Sequence, residues 1–155
     1  CWYPTCFALR CGLPRALGFS IISTEQGECM DPVQQVEQLA REARVVLDET
    51  FNAPDVLPFT TKAIEIIEAN PTLQPAFEQA FLSMEQYAPS EFVEVCMHAF
   101  QWPTVKAEFE ARCRAAVLRN DWRAEPVYRH YLEAFEPDWE DAQDMYLPYF
   151  QGRAK

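Results

Sequence analysis

From Asp31 onward, apolar residues recur at intervals of three and four, the period of a helix that buries one face. Asp31 is a predicted cap and Pro32 suits a first turn, where a missing N–H costs nothing. Val33, Val36, Ala40, Ala43 and Leu47, widened by Leu39 and Val46, predict a first helix from about Pro32 to Phe51. Asn52-Ala53-Pro54-Asp55 ends it, and Val56–Phe59 reads as an apolar crossing segment pinned by Pro58. A short second helix follows over Thr61–Ala69 and stops at Asn70-Pro71.

The third predicted helix starts near Thr72, presents Leu73, Phe77, Ala80, Phe81 and Met84, and ends around Tyr87–Pro89. The fourth, capped by Ser90, is expected to bury Phe92, Val95, Cys96, Ala99 and Phe100. Trp102-Pro103 opens a fifth, with Val105, Phe109, Cys113, Ala116 and Val117 as its stripe. After the Asn120-Asp121 stop, Pro126 begins a sixth with Val127, Tyr128, Tyr131, Leu132 and Phe135 inward. Pro137-Asp138 precedes a short seventh, Trp139 to Leu147.

No alternating run with turn chemistry calls for a strand. The prolines near helix starts, at 32, 71, 89, 103, 126 and 137, are too unevenly spaced for a repeat family. The expected fold is therefore all-α: one acidic domain over residues 30–155, a compact irregular bundle of six or seven short helices.

Residues 1–29 have a different character. They hold four of the six cysteines (Cys1, Cys6, Cys11 and Cys29), three of the four glycines and no clear periodicity. The codons available for Gln26-Gly27-Glu28 include the string AAGGAG, a purine-rich ribosome-binding signal of bacterial messages, just ahead of Met30. The expectation is a translated leader or a poorly packed extension over 1–29, with the bacterial protein starting at Met30. The interrupted apolar patches fit no secretory signal, and the cysteine spacing fits no zinc knuckle.

Apolar residues make up 49% of the chain, enough for a real core, and no uncharged apolar run is long enough to span a membrane. Without an export signal the expected compartment is the cytoplasm, where Cys96 and Cys113 are reduced thiols. The net charge is −11. Residues 30–101 carry three bases against twelve acids, 102–130 six against four, and 131–148 six acids and no base. That field argues against nucleic-acid binding and suits a basic protein partner.

Candidate chemistry is sparse. Glu94 and His98 lie one turn apart on the fourth helix, and His130 stands on the sixth. The simplest expectation is a solvated Glu–His contact, since a catalytic metal usually takes three protein ligands. A metal-dependent or hydrolytic enzyme using Glu94, His98 and His130 is the alternative; neither a cofactor nor a resident metal is expected. After residue 29 the one glycine is Gly152, so no phosphate-binding glycine loop exists there.

Glu133 to Phe150 is more suggestive, because acids alternate with aromatics. Glu136, Trp139, Glu140, Asp144, Tyr149 and Phe150 are the predicted partner contacts, with aromatic anchors inside an acidic rim. Arg119, Arg123 and Arg129, around Trp122 and Tyr128, are expected to pair internally with that acidic end. The chain reads first as a non-enzymatic interaction protein, such as an immunity- or antitoxin-like inhibitor of a basic partner. A scaffold subunit of a larger assembly is a further alternative, and the oligomeric state is open.

Overall fold

The computed structural model describes residues 30–147 and residue 151. The expected leader, residues 1–29, falls outside the described residues, as do Tyr149 and Phe150. The described chain folds as seven α-helices without a strand: α1 (Pro32–Thr50), α2 (Leu57–Ala69), α3 (Gln74–Ser83), α4 (Ser90–Phe100), α5 (Pro103–Leu118), α6 (Ala124–Glu133) and α7 (Glu140–Asp144). Short 3-10 turns over Ala53–Val56, Pro71–Leu73 and Met84–Gln86 join the first four. None of these helices is long and apolar enough to cross a membrane.

Prolines set the starts. Pro32, Pro58 and Pro103 each occupy the first turn of a helix, where the ring's fixed φ is already helical and no N–H is missed. Pro58 therefore opens α2 at Leu57 instead of pinning an extended crossing segment, and the predicted second helix gains a full turn. Two expected caps also work differently. Asp31 makes no side-chain cap and instead offers its carbonyl to the Gln35 N–H at 2.9 Å. Ser90 is the first helical residue, with Pro89 at the cap position.

α1 packs on α2, α2 on α4, α4 on α6, and α5 and α6 form a tightly packed hairpin. Val36, Ala40 and Ala43 are fully buried from α1, and Ala63 and Ile64 from α2. α4 runs through the middle: every residue from Phe92 to Met97 is buried. A helix apolar on all sides belongs inside a core. Ala99, expected inward, is exposed, and Phe100 is half-buried, its ring stacked on Trp102 at 4.8 Å.

On α5 the inward line is Val105, Phe109 and Ala116, whereas Cys113 is half-buried and Val117 exposed. Arg112 takes the place a core residue would fill between Phe109 and Ala116. Its guanidinium donates to the Leu82 carbonyl (2.8 Å), Glu85 (3.2 Å) and Glu108 (2.9 Å), tying α5 to the end of α3. The aromatics of α6 close the other side, with Tyr131 against Phe109 at 4.9 Å.

Candidate functional site

The end of α6, the turn after it and α7 together enclose an open cleft of about 380 Å³. Its walls are His130, Glu133, Glu136, Asp138, Trp139, Glu140 and Asp141. Local folding follows from the alternation of aromatic and acidic residues. Phe135, Trp139 and Tyr146 turn inward and are buried, which leaves Glu136, Asp138 and Glu140 exposed between them.

α4 supplies the seat for this segment. The His98 ring lies 5.2 Å from that of Trp139, which in turn lies 5.6 Å from Tyr146. His98 Nδ1 is 2.8 Å from the Ala134 carbonyl oxygen. A carbonyl can only accept, so Nδ1 carries the proton. Gln101 also donates to the same carbonyl, at 3.4 Å. These contacts fix the turn at the point where the chain leaves α6.

Five carboxylates thus face one cleft. Lys106 of α5 answers Glu136 at 3.6 Å while lying over the Phe135 ring, and His130 Nδ1 lies 3.2 Å from Glu133. Of the arginines expected to neutralise this end, Arg119 makes no ion pair among the described residues, and the other two lie against near neighbours. Arg129 pairs within α6 with Glu125, and Arg123 lies over its neighbour Trp122. A pair one turn apart on a helix needs no chain rearrangement, so the local contact wins.

Beneath the cleft sits a carboxyl that breaks the expected pattern. Glu94 is 5% exposed, not solvated, and no cation pairs with it among the described residues. Burial pushes its pKa up to about 8, helped by the negative charges of Glu91, Asp141 and Glu133. It is protonated in most molecules at neutral pH. Tyr131 and Tyr146 are likewise raised, chiefly by burial and next by Glu94. The Tyr146 hydroxyl is fully buried and has no hydrogen-bond partner among the described residues.

Of the predicted contacts, Glu136, Trp139 and Glu140 come together on the cleft, although buried Trp139 forms its wall and not a protruding anchor. Asp144 is exposed at the end of α7 and does not line the cleft. Glu133, Asp141 and His130 join it, residues the sequence placed near but not in the contact set. Around Glu94 and His98, as elsewhere among the described residues, no group of three His, Cys, Asp or Glu side chains is placed to hold a metal ion. The unbroken apolar run around Glu94, from Phe92 to Met97, is the signal that it has no solvated face.

No family model matches this chain, and no significant match exists among curated proteins or solved structures.

Proposed function

We propose that this protein acts by binding, receiving a basic protein partner on the α6–α7 cleft, as a cytoplasmic immunity- or antitoxin-like inhibitor would. One observation carries the proposal: five carboxylates converge on one cleft, and the rest of the described chain sends it one lysine. A concave surface of one sign focuses its field and raises the local concentration of opposite charge, which speeds encounter. The buried aromatics behind the acids hold them in place before binding. Less ordering entropy is then lost on association than if the segment were mobile.

Trp139 and His130 give the cleft an aromatic wall against which the stem of a lysine or arginine can lie. Such a site selects an extended basic side chain over a compact cation. It therefore favours a protein partner with clustered lysine or arginine.

The test compares the wild-type protein with a double variant, Asp138→Lys and Glu140→Lys, as baits for partner capture at low salt. Both positions are exposed, so folding should survive. A basic protein retained by the wild type and lost from the variant supports the proposal. Equal recovery on both baits, or no basic protein on either, overturns it.

A further inference from the structure

We propose that copies of this chain associate head to tail, the turn between α5 and α6 of one docking on the α6–α7 cleft of the next. This rests on the cleft being a receptor for basic groups and names a second copy of the chain as one of them.

The turn is an apolar surface that the other described residues leave uncovered. Val117, Leu118 and Trp122 are 60%, 87% and 72% exposed, and Trp122 borders a shallow cavity of about 200 Å³ with Ala116 and Glu125. Arg119 and Arg123 flank it, both exposed and neither ion-paired among the described residues. The Arg123 guanidinium lies 4.9 Å from the Trp122 ring centre, so cation and aromatic form one surface.

That surface is rigid. Asn120 adopts the left-handed conformation at φ 55, the Asn120 N–H donates to Val117 O at 3.0 Å, and the Asp121 N–H donates to Ala116 O at 2.9 Å. This is the Schellman closure of a helix. Asp121 Oδ1 then accepts from the Arg123 and Ala124 N–H groups, capping α6. The one acid within the turn is thereby engaged by the backbone, and Trp122 is displayed on a fixed support.

Charge complementarity identifies the occupant. Residues 111–123 carry four arginines against one aspartate, while 133–144 carry six acids and no base. α6 begins at the turn and ends at the cleft, and its ten residues separate them by about 15 Å at ~1.5 Å rise per residue. The two surfaces thus stand at opposite ends of one helix, with opposite signs. Between two chains of net charge −11, repulsion among charges more than the ~8 Å screening length apart is largely screened at physiological salt. Arginine–carboxylate contacts form well inside it. Because the two surfaces differ, the contact is heterologous, and each added copy exposes a fresh turn and a fresh cleft.

Sedimentation velocity of the full chain at increasing concentration, at low and at high salt, gives the first arm. The expected result is mass that grows past a dimer at low salt and falls back at high salt. The second arm mixes a turn variant (Arg119→Ser, Arg123→Ser), left uncharged so that it cannot pair with a reversed cleft, with the cleft variant (Asp138→Lys, Glu140→Lys). Each alone is expected to be monomeric, and the mixture to stop at a dimer, because one intact turn meets one intact cleft. A wild type that stays monomeric at low salt overturns the inference, as does a mixture that forms no dimer. The turn variant keeps its cleft, so its capture of a separate basic partner reports on the proposed function independently.

Discussion

The carboxyl of Glu94, buried on α4, lies within the field of Asp141, which α7 carries across the top of it. No cation among the described residues pairs with either, and Glu91 and Glu133 add two more negative charges. A proton on Glu94 removes its charge from this acidic group, and loss of that proton sets a further negative charge against the other three.

This gives a pH dependence with a definite sign. The folded pKa of about 8 stands above the ordinary 4.5, so the folded state holds a proton that the unfolded state has released. The stabilisation is complete below pH 4.5 and is lost as pH rises through 8. At pH 7 the loss amounts to about 3 kcal/mol. Glu94→Gln, which keeps the shape without the charge, should be more stable than wild type by up to that amount at pH 7. Urea unfolding of both proteins from pH 5 to 8 should show the difference widening with pH; a constant difference would contradict it.

Tyr146 offers a second test in the same place. Its hydroxyl is buried with no hydrogen-bond partner among the described residues, an arrangement that costs about 1–3 kcal/mol. Tyr146→Phe removes the orphaned group and keeps the ring against Trp139, so thermal unfolding should show equal or greater stability. Trp139→Ala, by contrast, should cost about 3–5 kcal/mol, since it empties a core position and unseats the cleft.

Phe51 closes α1 in the left-handed conformation at φ 53, donating its N–H to Leu47 O at 2.9 Å. Its ring is 88% exposed, so packing returns little for a backbone shape that suits glycine. Phe51→Gly should raise stability by about 1 kcal/mol, read as a higher urea midpoint with an unchanged slope.

Arg112 ties α5 to α3 and, through Glu85, to Tyr128 of α6, whose hydroxyl donates to Glu85 at 2.9 Å. Arg112→Ala leaves the Leu82 carbonyl without this donor and Glu85 without its cation. A loss of about 2 kcal/mol is expected in chemical denaturation. Arg112→Lys should recover only part of it, because an ammonium cannot reproduce the fork that reaches three acceptors.

Much of the architecture was legible in the sequence because proline and helical periodicity act locally. Pro32 and Pro103 mark the starts of α1 and α5, and α4 spans Ser90–Phe100 where the apolar run lies. What escaped were consequences of tertiary packing. The apolar neighbours of Glu94 on α4 hint at its burial, but the acids that surround it stand on other helices, Glu133 on α6 and Asp141 on α7. Nothing in the spacing of α5 marks the tie that Arg112 makes, because its partner carbonyl on Leu82 lies thirty residues away. The alternation of acids and aromatics from Glu133 to Phe150 marked an acidic surface, but not that it is concave. The inward turn of Trp139 depended on His98, a residue on another helix.

The central claim, that the α6–α7 cleft receives a basic protein, is tested most directly by the salt dependence of affinity for the captured partner. The cleft account predicts a dissociation constant that rises steeply with salt, and a rise of at least about tenfold at low salt for the Asp138→Lys, Glu140→Lys variant, equivalent to ~1.4 kcal/mol. An affinity indifferent to salt and unchanged by reversing those two charges would contradict it.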